Sequence, residues 1–378
     1  MRKIVFSILL FSAWLLLPTT ALADDSLTLD CKSALLLDAV SGEVLYEMNS
    51  EEPCYPASVT KIMTLVLILE AIEDGKIQLT DEVSVSAEAA AMGGSQVYLY
   101  EGETRTVEEM LIAIAVGSGN DSAYAMAEFV SGSYSAFIDL MNKRAAELGM
   151  SGTHFTNPHG LHDAEHYTTA ADLGRLALYA LSLPDFLNYT SIYEYEFRPE
   201  PNPLVLWNTN RLLKWYEGTD GMKTGYTEEA GRNLVATVER DGMRLISVVL
   251  GCRERQGHFL ESMELLNFGF NNFTYQQLYP AGATVAKISV SKGAADSVSL
   301  ITAEEIGYIQ AKNSDVSITE SIQLEQILPA PVRAGEKGGT ITLYRDGSEW
   351  RSIDLIAAEN VERGGVWRTW RKLLTAMW

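Results

Sequence analysis

Residues 56–75 read Pro-Ala-Ser-Val-Thr-Lys-Ile-Met-Thr-Leu-Val-Leu-Ile-Leu-Glu-Ala-Ile-Glu-Asp-Gly. From Ser58 to Glu73 the segment is apolar nearly all round at helical spacing, which predicts a helix buried on every side. Gly75 closes it. The polar exceptions stand at its start. Ser58 and Lys61 are three residues apart, so they lie one turn apart on one face. A serine hydroxyl is a weak nucleophile until a base takes its proton. A lysine serves as that base when burial and nearby positive charge lower its pKa. The helix N-terminus adds positive field and free N–H groups. Alone, Ser-x-x-Lys occurs often by chance, so its neighbours must decide.

Outward from this helix, the chain reads as one mixed unit over residues 24–272. Ser33 to Asp38 predicts a strand, and Ser41-Gly42 a turn into a partner at Glu43 to Glu47. Thr106 to Glu109 fits a capping box opening a further helix. Asn120 to Ser131, Tyr134 to Leu148 and Thr169 to Leu181 continue the helical pattern. The period then changes to strands at Met222 to Thr227, Leu234 to Glu239 and Met243 to Leu250. Asp241-Gly242 is the hairpin signal joining the last two. Phe259 to Phe268 returns to helix. Strands at both ends with helices between predict one sheet assembled from distant segments and faced by helices.

Residues 273–361 hold short alternating stretches punctuated by Gly and Pro, a small all-β domain. Residues 362–378 differ again. On a helix Trp367, Trp370, Leu374 and Trp378 fall on one side, with Arg368, Arg371 and Lys372 on the other flank, a pattern suited to a membrane interface. The opposite terminus reads as an export signal over residues 1–23. Arg2-Lys3 precede the apolar run Ile4 to Leu17, and Ala21-Leu22-Ala23 supplies a cleavage site. Three cysteines, Cys31, Cys54 and Cys252, make no disulfide framework; one bridge or three free thiols both fit.

Two more clusters carry chemistry. Ser118-Gly119-Asn120 offers a second hydroxyl and an amide between helices. Lys223-Thr224-Gly225 lies on a predicted strand, whose edge can pair with an extended peptide while Lys and Thr hold an anionic end group. Gly225 permits close backbone approach. The order and contexts of the three clusters form a known signature: Ser-x-x-Lys opening a helix, Ser-x-Asn on a loop, Lys-Thr-Gly on a strand. The chain thereby resembles the penicillin-recognising serine D,D-peptidases, above all the low-molecular-mass penicillin-binding proteins that are D-alanyl-D-alanine carboxypeptidases. The likeness extends to Gly117–Ala123, Phe155–Leu161, Asp220–Thr227 and Ala230–Leu234, and to the β domain and tail.

The resemblance implies an α/β transpeptidase-like domain of the penicillin-binding and β-lactamase type, plus the all-β C-terminal domain and an amphipathic C-terminal helix. It implies Ser58 as acylated nucleophile and Lys61 as its base. Ser118 would relay the proton and Asn120 hold the substrate amide. Lys223, Thr224, Gly225 and Tyr226 would bind substrate, with the Ser58 and Tyr226 N–H groups as oxyanion donors. The implied substrate is the D-Ala-D-Ala end of peptidoglycan stem pentapeptides, with β-lactam antibiotics as inhibitors and no metal or organic cofactor. A D,D-endopeptidase or a low-turnover penicillin-binding scaffold would use the same residues. The second cluster is Ser-Gly-Asn rather than the Ser-Asp-Asn of class A β-lactamases, and no Glu-containing deacylation loop is evident between Ser118 and Lys223. Penicillin should therefore trap the protein.

His162-Asp163-Ala164-Glu165-His166 fits a zinc-peptidase pattern, but that pattern needs a helix. Pro158 and Gly160 before it and Thr168-Thr169 after it predict a loop instead. With 29 Lys+Arg against 50 Asp+Glu, the net charge of −21 repels phosphate backbones and speaks against nucleic acid as a partner. An anionic ligand then needs a local basic pocket.

Overall fold

The computed structural model describes residues 27–199, 202–314 and 316–365. The export signal lies outside them, as does nearly all of the tail. The central sheet has five antiparallel strands in the order Val44–Met48, Ser33–Asp38, Met243–Cys252, Gly231–Arg240, Thr219–Thr227. Both of its faces are covered, so its inner strands carry short continuous apolar runs, such as Leu234, Val235 and Ala236 or Val248, Val249 and Leu250, rather than a strict alternation. In Ser33–Asp38 the two faces are visible residue by residue. Leu35 and Leu37 enter a core shared with the helices, while Ala34 and Leu36 enter a second core on the other face. The helix Gly257–Asn272 covers that second face through Phe259, Leu265 and Leu266. The Asp241-Gly242 turn has positive φ at both residues, 49° and 78°, as a two-residue hairpin of matching twist requires.

The helix Lys61–Glu73 runs through the first core and is buried over nearly its whole length. Its predicted start needs one correction. Ser58 belongs to a 3-10 turn, Ala57–Thr60, and the α-helix begins only at Lys61. The tightening has a local cause: Ala57 sits at φ 49°, and the Thr60 hydroxyl donates to the Ala57 carbonyl at 2.8 Å. The helices Val107–Ala115, Asn120–Ser131, Tyr134–Glu147 and Ala170–Ser182 pack around it. Thr106 and Glu109 form the expected capping box.

Beyond Asn272 the chain is all-β. Ile318–Leu324, Lys337–Arg345, Ser348–Ala357, Ser297–Thr302, Thr284–Ser291 and Leu328–Pro329 form a six-stranded sheet in that order. Phe273–Tyr279 pairs with Ile306–Ala311. The sequence pattern missed Phe273–Tyr279, Ile306–Ala311 and Leu328–Pro329. Ile309 joins the second core of the central sheet, and Arg345 reaches Glu43 at 2.9 Å, so the two units are packed together. The three cysteines are free; Cys54 and Cys252 are buried and Cys31 is half-buried.

Candidate active site

The three clusters meet at the free edge of the central sheet. Thr219–Thr227 is the edge strand, and it runs directly against the 3-10 turn that carries Ser58. A Cβ placed on Gly225 would stand 2.6 Å from the Pro56 carbonyl oxygen and 3.1 Å from the Ser58 nitrogen, so only glycine allows this approach. Asn233, on the neighbouring strand, anchors the turn from beneath. Its Nδ2 donates to the Tyr55 and Pro56 carbonyls at 2.8 and 3.0 Å. Gly160 closes the other side at φ 84°, where a Cβ would meet the Ala57 oxygen at 1.9 Å.

Lys61 is fully buried. Its Nζ donates to Ser58 Oγ at 2.9 Å, Asn120 Oδ1 at 2.7 Å and the His159 carbonyl at 2.7 Å. Burial, and next the Lys223 ammonium, hold its pKa well below the usual lysine range, against a smaller opposing pull from Asp121. Asn120 opens the helix Asn120–Ser131, and its Nδ2 donates to the Gly93 carbonyl at 2.7 Å, which fixes which end of the amide faces Lys61. Ser118 is nearly buried at φ 58° and lines the cleft. Asp121 accepts from the backbone N–H groups of Val97 and Leu99, both at 3.1 Å, and so builds the loop opposite the edge strand.

Lys223 is buried beside Lys61, and burial pushes its pKa down to about 7. Its Nζ reaches Thr209 Oγ1 at 3.4 Å, and the Thr224 hydroxyl donates to the same oxygen at 2.7 Å. Ser58, Ser118, Thr224, Gly225 and Tyr226 line a cleft of about 890 Å³. A second recess of about 290 Å³ shares Ser58 and Tyr226 and extends past Asn120 and Gly160. All eight sequence-predicted residues therefore converge on one place.

Sequence reasoning missed the outer wall of the cleft, formed by Trp207, Thr209, Arg211, Arg232, Arg255 and His258. It supplies the local basic pocket that an acidic chain needs for an anionic ligand. The signal was weak: Trp207, Thr209 and Arg211 share one short stretch, but Arg232 and the pair Arg255 and His258 come from separate segments. The His-x-x-Glu-His stretch is a loop, as expected, and its histidines diverge. His162 stands edge-on to Tyr55 at 4.7 Å, while His166 is buried against Thr60.

A serine within hydrogen-bond reach of a buried lysine, beside a sheet edge and a basic cleft, is an arrangement that suits a serine hydrolase. Residues 19–254 match the family described as D-alanyl-D-alanine carboxypeptidase, and residues 273–363 match the penicillin-binding protein 5 C-terminal domain. The D-alanyl-D-alanine carboxypeptidase DacF of Bacillus subtilis is 41% identical over 89% of this chain and 87% of its own. The crystal structure of penicillin binding protein 5 from Haemophilus influenzae superposes with a TM-score of 0.71 at 32% identity, covering 89% of this chain and 98% of that one. Penicillin-binding protein D2 of Listeria monocytogenes, solved in its ampicillin-bound form, gives 0.59 at 30% identity over 65% of this chain and 99% of that one. The chain belongs to the D-alanyl-D-alanine carboxypeptidase family, a penicillin-binding family of serine peptidases that act on peptidoglycan.

Proposed function

We propose that this enzyme removes the terminal D-Ala of peptidoglycan stem pentapeptides through an acyl-enzyme on Ser58. The observation that carries the reading is the buried Lys61 amine, 2.9 Å from Ser58 Oγ and depressed in pKa. Two of its donors are committed to Asn120 Oδ1 and the His159 carbonyl. In the neutral amine the lone pair then faces the Ser58 hydroxyl and takes its proton as Oγ attacks the penultimate D-Ala carbonyl. The peptide lies along the edge strand, its terminal carboxylate at Lys223 and Thr224 and its amide at Asn120. The Ser58 and Tyr226 N–H groups receive the oxyanion, each such donor contributing about 3 kcal/mol in the transition state. Ser118 passes the proton to the departing D-Ala nitrogen. Water activated by Lys61 then hydrolyses the ester. A penicillin presents its β-lactam carbonyl carbon to the same Ser58 and the carboxylate of its fused ring to the same Lys223 and Thr224.

Residues 1–23 direct export in this reading, residues 24–272 are the catalytic domain, and residues 362–378 bind the membrane surface. Among the described residues no helix is long and apolar enough to cross a membrane.

The test is labelled penicillin on the soluble protein and on Ser58→Ala, with the adduct located by peptide mass and D-Ala release followed from a diacyl-Lys-D-Ala-D-Ala peptide. A lasting Ser58 adduct with D-Ala release is expected. An adduct without release favours cross-link cleavage or a scaffold, and no adduct at Ser58 removes the assignment. Deleting residues 366–378 tests the tail: membrane association that survives the deletion sinks that part.

A further inference from the structure

His166 lies outside the three clusters, yet it is buried at the base of the nucleophile turn. The Thr156 backbone N–H donates to His166 Nδ1 at 2.9 Å. Nδ1 is therefore the lone-pair nitrogen, and the ring proton is on Nε2. Nε2 lies 2.8 Å from Thr60 Oγ1 and donates to it. The Thr60 hydroxyl spends its own proton on the Ala57 carbonyl at 2.8 Å. These three bonds run in one direction, from a loop amide through the imidazole and a hydroxyl to one carbonyl.

That carbonyl belongs to the peptide joining Ala57 to Ser58. A trans peptide is planar, with C=O and N–H pointing opposite ways. Whatever draws the Ala57 oxygen inward aims the Ser58 N–H outward, toward the cleft. Ala57 has φ 49°, a left-handed conformation that an alanine rarely holds unaided. Its oxygen can approach Gly160 only because that residue lacks a Cβ.

We propose that His166 is a positioning residue for the oxyanion site, acting through Thr60 to fix the Ala57–Ser58 peptide plane. The ring is kept neutral by burial, which pushes its pKa down to about 4; Asp163 pulls the proton on, while His154 and His162 repel it. At neutral pH the Nδ1 acceptor is thus available. The Phe155 ring, 5.7 Å away and edge-on, fills the remaining side. Nothing in this chain of bonds touches substrate, so the effect is on the alignment of a donor that matters most in the transition state.

The inference rests on the reading of Ser58 as the acylated residue. The experiment uses the soluble protein as wild type, His166→Phe, His166→Gln, Thr60→Val and the double variant His166→Phe/Thr60→Val. Penicillin acylation rates, kcat and KM for D-Ala release, and thermal midpoints are measured on each. His166→Phe is expected to lower acylation and kcat by about 10- to 100-fold with KM nearly unchanged. His166→Gln, which keeps one acceptor and one donor, restores most of the loss. Thr60→Val reproduces the loss, and the double variant adds little to either single one, as members of one chain of bonds should. If wild type is labelled on Ser58 but His166→Phe, well below its thermal midpoint, acylates within threefold of it, the inference is overturned while the function stands. Additive losses, or a raised KM with unchanged kcat, overturn it too. If wild type gives no Ser58 adduct, the underlying reading is what fails. Should His166→Phe not fold, Thr60→Val and His166→Gln decide alone.

Discussion

Substituting Gly225 by alanine should cost far more activity than stability. The new Cβ would lie 2.6 Å from the Pro56 oxygen, 3.1 Å from the Ala57 Cβ and 3.1 Å from the Ser58 nitrogen. Ordinary van der Waals contact begins near 3.4 Å, so the strand and the turn must part by about 0.8 Å. Pro56 is held by Asn233 and Ala57 by Thr60, so the strand must give way. The move carries the Tyr226 N–H away from the Ser58 N–H, since Tyr226 is the next residue. A displacement near 1 Å at a reacting centre lowers rates by about 100-fold, equal to about 2.7 kcal/mol of transition-state energy. Overpacking at this sheet edge costs stability by about 1–2 kcal/mol, a few degrees in a domain this size. The assay is a fluorescent penicillin, with the acylation rate read by gel or anisotropy beside a thermal melt. A Gly225→Ala protein that acylates within threefold of wild type would refute the claim that this contact sets the oxyanion geometry.

Other outcomes follow from the same geometry. Lys61→Arg should abolish acylation, because a guanidinium keeps its proton at all working pH values; measurable turnover in that variant would remove Lys61 as the base. Lys223 has a folded pKa of about 7, well below its unfolded value. The unfolded chain therefore binds the extra proton above pH 7, and the stability of wild type relative to Lys223→Met should rise from there toward pH 10. The same deprotonation should raise KM for a carboxylate-ended peptide as pH passes 7, and a flat KM would contradict it. Glu103, nearly buried, accepts from both Arg105 and Arg198. Glu103→Ala leaves two guanidinium groups short of a partner and should cost about 3 kcal/mol in urea unfolding, with little effect expected from the conservative Lys76→Gln on an exposed pair. The Ser58 adduct of penicillin should outlast the assay, as no acidic deacylation loop is evident; release within minutes would contradict that.

Much of this site could be read from the chain because its key relations are local. Ser58 and Lys61 are set by one helical turn, Lys-Thr-Gly by one strand, and the Asp241-Gly242 hairpin by two backbone angles. A sheet faced by helices followed from where the period changed, and its transpeptidase-like class from the resemblance. What stayed hidden depends on contacts between distant segments. The left-handed Ala57 looks like any alanine in sequence, and its need arises only when Gly160 and Thr60 close on it. The cleft wall draws Thr209 and Arg211 from one loop, Arg232 from a strand and His258 from a helix start, so no spacing announces it. His166 was legible only as half of a metal pattern. Its actual partners, Thr60 and Thr156, could not be named without the fold.

The position of the edge strand carries one further consequence. Its outer side opens into a cleft flanked by Trp207 on one wall and the Ser58 turn on the other. An edge sunk between walls accepts one thin chain but not another sheet, since neighbouring strands sit nearly 5 Å apart and would strike the walls. Backbone hydrogen bonding there measures the thickness and extension of what enters, with little interest in its side chains. Such a gate is expected to admit slender tails ending in the recognised carboxylate and to turn away folded domains. The same D-Ala-D-Ala terminus should be cut from a flexible tether and spared when fixed inside a sheet.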